Sequence, residues 1–116
     1  MGDDIMTILK MFEKVNLVTP IEQRLFFNYF EDTVEELQAL YDGFVFEKDA
    51  EYTPPSDLHD KNVVMALYHN AIVDNILFLA GQGETYKSEF IRKSREAYLK
   101  YWNDNAKGRK MKRRMW

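Results

Sequence analysis

The sequence predicts a small all-α domain, a bundle of about four helices, and three observations carry that expectation. The stretch from Asn62 to Ala80, N-V-V-M-A-L-Y-H-N-A-I-V-D-N-I-L-F-L-A, is apolar almost all the way round, which a helix tolerates only when neighbours cover most of its circumference. Three further segments place apolar residues at helical spacing. Between the segments stand T-P-I-E, T-P-P-S-D and G-Q-G, all made of capping and turn residues. At 116 residues the chain fits one domain with a single core, read here as residues 1–104, followed by a basic tail over 105–116.

The first helix is expected over about 4–16, capped by Asp3 or Asp4, with Ile5, Ile8, Leu9, Phe12 and Val15 on its apolar side and Asn16 ending it. Thr19, Pro20 and Glu22 then read as N-cap, first helical position and capping-box partner of a second helix over 20–42, closed by Gly43. Arg24, Asn28, Glu31, Glu35 and Gln38 form its polar strip. The apolar arc opposite, from Leu25 and Phe26 through Phe27, Phe30 and Leu40 to Tyr41, spans roughly 180–200°, wider than the ~100° needed to face one core. Either both flanks are buried within the subunit or one meets another chain, and a domain this small has few layers to offer, which favours the second. On that basis Phe27, Phe30, Glu31 and Glu35 are candidate subunit-interface residues.

Residues 43–57 read as irregular, with F-V-F-E as a short extended piece and Pro54-Pro55 stopping any helix. Ser56 or Asp57 is expected to cap the central helix over 58–80, whose polar strip runs through His59, Asn62, Ala66, His69, Asn70 and Val73. Asn75, on the apolar side, must be hydrogen-bonded if buried, with tyrosine or backbone partners expected. G-Q-G at Gly81 to Gly83 turns the chain into a last helix over 84–104, with Tyr86, Phe90, Ile91, Ala97, Tyr98, Tyr101 and Trp102 on one side and Lys87, Arg92, Lys93, Glu96 and Lys100 left for water.

The residues needed for chemistry do not converge. With no cysteine there is no disulfide, thiolate nucleophile or sulfur-bound zinc. His59 and His69 would share a helix face about 15 Å apart, too far to ligate one metal. Asp57, His59 and Asp60 read as a helix start, and Glu35-Glu36 and Asp3-Asp4 as solvated pairs pointing apart. No phosphate-cradling glycine loop and no nucleophile elbow are present, so neither an enzyme nor a cofactor is expected. The acidic start M-G-D-D-I-M-T reads as neither a signal peptide nor a myristoylation site, and His69, Asn70, Asp74 and Asn75 set the central stretch in protein rather than membrane.

Charge divides the chain. The net charge of −3 combines a tail with six basic and no acidic side chains and a body with ten basic against nineteen acidic. Eleven of those acids lie between Glu22 and Asp60, opposed by Arg24 and Lys48 alone. Such a chain can attract copies of itself or another acidic surface. The tail, with Lys107, Arg109, Lys110, Lys112, Arg113, Arg114, Met115 and Trp116, reads as disordered in an isolated subunit. It could solubilise, dock a protein through Met115 and Trp116 with the basic groups pairing to acids, or neutralise phosphates while Trp116 stacks on a base.

The order of elements resembles the tailed-bacteriophage head-tail connector family, also called head-completion or adaptor proteins. The resemblance runs from about Ile5 to Trp102: a short helix, a long one, an irregular middle, then A-L-Y-H-N-A-I-V-D-N joined by a glycine turn to T-Y-K-S-E-F-I-R-K-S-R-E-A-Y-L. It implies a structural protein of the virion, present in the host cytoplasm during assembly. It further implies a ring of about twelve copies under the portal protein, extending the DNA channel and docking tail or stopper proteins. DNA would pass without specific binding, and no membrane is involved. The alternative reading is a small helical nucleic-acid-binding or regulatory protein that uses the basic tail.

Overall fold

The computed structural model describes residues 6–41 and 45–106, the last three by backbone alone. Asp3, Asp4, Gly43 and the tail residues 107–116 lie outside the described residues, and with them the roles read for those positions. Four helices make an all-α bundle: α1 (Ile8–Val18), α2 (Gln23–Tyr41), α3 (His69–Leu79) and α4 (Glu84–Ala106).

Each helix begins or ends where a local donor finds its acceptor. Thr7 caps α1, its hydroxyl accepting the Lys10 N–H at 3.0 Å. Asn16 does not end that helix. Its side-chain amide donates to the Phe12 carbonyl at 2.8 Å while its oxygen accepts the Ile21 N–H at 3.0 Å, stapling the turn that follows. The capping box expected at Thr19 does not form: the Thr19 N–H goes back to the Val15 carbonyl, and Thr19 closes α1 instead of opening α2. Pro20 lies in the turn, and α2 starts at Gln23.

The central helix is shorter than its apolar run. Asp60 accepts the Ser56 and Asp57 N–H groups (2.8 and 3.0 Å) and Asp57 accepts that of His59 (2.8 Å), so these residues build a separate turn and cap nothing. Val63 to Met65 then run extended, with Glu47 N–H on the Val63 carbonyl and Met65 N–H on the Val45 carbonyl, both at 2.8 Å. An isolated antiparallel bridge joins Phe46 to Val64. Helix resumes only with a 3-10 turn, Ala66–Tyr68, leading into α3. At the other end of α3, Gly81 and Gly83 take φ of +85° and +126°, which side chains resist, and the chain reverses into α4. That last helix runs through Ala106, so Asn105 and Ala106 belong to it and not to the tail.

Cross-contacts fix the directions. Tyr41 meets Tyr68 of the 3-10 turn and Tyr98 of α4, while Thr33 meets Asn75 and Glu36 meets Lys87. Thus α2 runs against α3 and along α4. Met6, just before α1, bonds His69, so α1 and α3 start together and the bundle is up-down-up-down. One end holds the two short turns at 19–22 and 80–83, here called the turn end. The opposite, terminal end holds the start of α1, the 45–65 connection and the end of α4.

Helix α3 contacts the other three helices and is buried at His69 and from Ala71 through Leu77, as its all-round apolarity requires. Phe26 and Phe30 of α2 fill the core with Phe12, Met11, Val15 and Phe90, the Phe12 and Phe26 rings meeting edge-on at 5.3 Å. Polar groups in this core are tied together. Asn75 donates to Thr33 Oγ1 (2.9 Å) and accepts from Lys87 Nζ (3.2 Å), partners other than the tyrosine or backbone groups expected, and the Thr33 hydroxyl in turn donates to the Tyr29 carbonyl (2.8 Å). Lys87 also binds Glu36 at 2.5 Å and lies over the Phe78 and Phe90 rings. Lys93 stands 2.8 Å from the buried Asp74 Oδ2, an ion pair without the angles of a hydrogen bond. Neither lysine is left to water as its place in the sequence implied.

Candidate docking surfaces

The polar strip read into the central helix turns inward. His69 is 3% exposed. Its Nδ1 accepts the Met6 N–H at 2.8 Å, which leaves the proton on Nε2 to donate to the Val64 carbonyl, also at 2.8 Å. Asn62 donates to the Met6 carbonyl at 2.8 Å and accepts the Val64 N–H at 3.1 Å. One imidazole and one amide therefore hold both sides of Met6 and tie the entry of α1 to the extended strand before α3. Because 58–65 is not helical, His59 and His69 do not sit a fixed number of turns apart. Both line one cavity of about 450 Å³ at the terminal end, walled by Met6, Leu58, Val64 and Ala66.

The candidate interface residues separate. Phe30 is 1% exposed and belongs to the protomer's own core, so it is withdrawn from any subunit contact. The physical reason is that Phe30 packs within the protomer's own core with Phe26, Met11 and Phe90, whereas Leu25 and Leu40 of the same arc stay exposed. Phe27 is half-buried against Phe26, with ring centroids 5.6 Å apart. Glu35 is exposed. Glu31 accepts the Tyr52 hydroxyl at 2.6 Å, and Tyr52 stacks on Phe46 with centroids 4.7 Å apart, so Glu31 anchors the 45–65 connection to α2. The candidate residues of the tail, Lys107 to Trp116, lie outside the described residues.

Burial, then the Glu31 carboxylate, pushes the Tyr52 hydroxyl well above the usual tyrosine range. Burial also raises Tyr68, followed by the neighbouring Tyr41 and Tyr98 hydroxyls; no partner for its own hydroxyl is found among the described residues. Both groups bind their protons more tightly folded than unfolded. The stability they contribute is complete below the unfolded value of about 10 and declines as pH rises above it. Tyrosinate absorbance followed alongside circular dichroism should show Tyr52 and Tyr68, of seven tyrosines, ionising only as the helices melt. Ionisation of all seven before any loss of helix would contradict the placement.

Exposed apolar surface gathers at the two ends. At the turn end stand Leu17, 85% exposed, Val18 and Leu25. Ile91 in the first half of α4 and Leu99 and Trp102 toward the terminal end fall within about 80° of one face, with Leu99 52% and Trp102 40% exposed, and Leu40 lies in the last turn of α2 at that same end. Leu17 and Leu99 were not picked out by the helical spacing. Their signal was present as an apolar residue out of phase: Leu17 departs from the Ile8, Phe12, Val15 rhythm, and Leu99 follows Tyr98 on the far side from Ala97.

Among the described residues no group of three or more His, Cys, Asp or Glu side chains is placed to hold a metal ion. No described helix is long and apolar enough to cross a membrane. Comparison with protein-family models, curated proteins and solved structures found no match.

Proposed function

We propose that this chain is a structural connector of the phage head-tail type, a non-catalytic subunit that assembles with copies of itself into a ring under a portal and docks a tail or stopper protein. The observation that carries the reading is the pair of unlike apolar regions at opposite ends of one rigid bundle, Leu17, Val18 and Leu25 against Leu40, Leu99 and Trp102. A closed ring of identical subunits joined head to tail needs two different surfaces on each copy. A ring under a portal needs a further surface for its partner, and α4 leads from Trp102 into the six basic residues of the tail. The acidic body supports the same reading, since a channel lined by carboxylates lets DNA slide without tight phosphate contacts.

The test is reconstitution with a portal ring. The full chain should bind and form a ring visible by electron microscopy, and deletion of residues 107–116 should abolish binding while circular dichroism stays unchanged. Undiminished binding by the deleted chain would remove the tail from the mechanism. The six basic side chains of the tail also favour a second reading, a nucleic-acid-binding regulator. Tight duplex DNA binding with a log–log salt slope of about −5 would support that reading over the connector.

A further inference from the structure

We propose that His69 is an acid-sensitive latch on the entry of α1: a second proton on its imidazole breaks the bond to the Met6 N–H and frees the start of that helix from the bundle. The latch is a property of one copy and is independent of the connector reading. Its geometry admits one tautomer and one charge state. Nδ1 accepts the Met6 N–H at 2.8 Å and so holds no proton, while Nε2 stands 2.8 Å from the Val64 carbonyl, which only an N–H can satisfy. An imidazolium carries a hydrogen on both nitrogens. Its Nε2 can keep the Val64 carbonyl, but its Nδ1–H would meet the Met6 N–H donor against donor, at a site 3% exposed to solvent. Asn62 beside it holds the Met6 carbonyl through its amide nitrogen and turns its oxygen to the Val64 N–H, so it does not replace the lost acceptor.

Protonation separates two ties that the neutral ring joins. Met6 and Ile8 are buried, so release of the α1 entry bares apolar surface beside the cavity that Met6 helps to wall. The extended pairing on the other side is untouched, because the Glu47 N–H on the Val63 carbonyl and the Met65 N–H on the Val45 carbonyl do not involve the imidazole. The titratable groups that line the cavity with His69 are Glu47, His59, Asp60 and Lys61 of the 45–65 connection. From α1 come Thr7 and Leu9, neither of them titratable, and Tyr68 precedes His69 in the 3-10 turn. On α3 itself Asp74 is held by Lys93 of α4, and Asp3 and Asp4 lie outside the described residues. Carboxylates favour the second proton and Lys61 opposes it, so together they set the midpoint of release. The sign follows from the Met6 bond, which exists only with the neutral ring. The closed state binds this proton less readily than the open one, so closure is complete above the ordinary histidine value of about 6.5 and weakens as pH falls below it.

The chain has two histidines, so one control isolates the effect. Amide exchange of the full chain, followed by NMR and expressed as protection relative to the unstructured rate, should show the Met6 amide losing about tenfold in protection between pH 7.5 and 5.5, the mark of one proton per opening. The Met65 amide should keep its own. His59→Gln should lose Met6 protection as wild type does. His69→Gln, whose amide offers one acceptor and one donor and takes up no proton in this range, should hold Met6 protection level. Should that variant fail to fold by circular dichroism, the imidazole resonances of wild type decide: His69 should stay neutral where His59 has already taken its proton, and gain its own only as the Met6 amide is lost. Met6 protection that is flat across this range in wild type, or that falls equally in a folded His69→Gln, would overturn the latch. So would a His69 that takes its second proton while Met6 stays protected, or a fall at Met65 equal to that at Met6, which would mark a general loosening in acid.

Discussion

Phe30→Ser is expected to lower stability by at least about 3 kcal/mol, out of the roughly 5–15 kcal/mol that a domain of this kind possesses. Phe30 is fully enclosed, its ring 6.2 Å from that of Phe26, and serine there would leave both a cavity and a hydroxyl with no water to bind. A thermal melt should fall by roughly 10–20 °C. Phe27→Ser provides the control. That ring is half-buried at the edge of the same cluster, and its loss should cost on the order of 1 kcal/mol. A Phe30→Ser chain that melts like wild type yet no longer associates would put Phe30 at a subunit contact and refute its place in the core.

His69→Leu is the second large effect, and it acts through hydrogen bonds instead of volume. Leucine offers nothing to the Met6 N–H or to the Val64 carbonyl, and each backbone group left unsatisfied costs about 1–3 kcal/mol. The loss should total roughly 2–5 kcal/mol, toward the lower end if water reaches Met6 from the cavity. Hydrogen exchange separates this from a general packing defect. The first turn of α1 and the residues around Val64 should lose protection ahead of the α2–α3 core, because the imidazole joins the former pair and not the latter. Asn75→Leu makes the contrast, since Thr33 keeps the Tyr29 carbonyl and Lys87 keeps Glu36 when the amide is gone. Equal, uniform loss of protection in both variants would mean that the Met6 tie is not the source of the effect.

The two effects explain why the aromatic second helix misled the interface assignment. Counting the apolar arc of α2 gives its width but not how many neighbours share it. In the bundle, Phe26 and Phe30 pack within the protomer's own core with Phe12, Met11 and Phe90, so they are already covered. What stays outside is mainly aliphatic and lies at the ends: Leu17, Val18, Leu25, Leu40 and Leu99, with Trp102 the aromatic exception. Association is therefore expected to depend on the tips of the bundle more than on its aromatic side.

Periodicity by itself determined that four helical segments exist, that the stretch around Ala71 to Leu77 is enclosed, and that the chain reverses at Gly81 and Gly83. Those are properties of nearest neighbours and of backbone freedom, and a sequence carries them directly. Only the folded structure decided where helices begin: the Thr19 N–H that Glu22 would take in a capping box stays on the Val15 carbonyl, so Thr19 closes α1. It also decided that Val63 and Val64 run extended, since a short apolar run suits a strand as well as a helix until Val45 and Glu47 come alongside with free backbone groups. The inward turn of His69 follows from the same event: a backbone brought from 63 residues away supplies the donor that its imidazole accepts, and no local pattern encodes a partner at that distance.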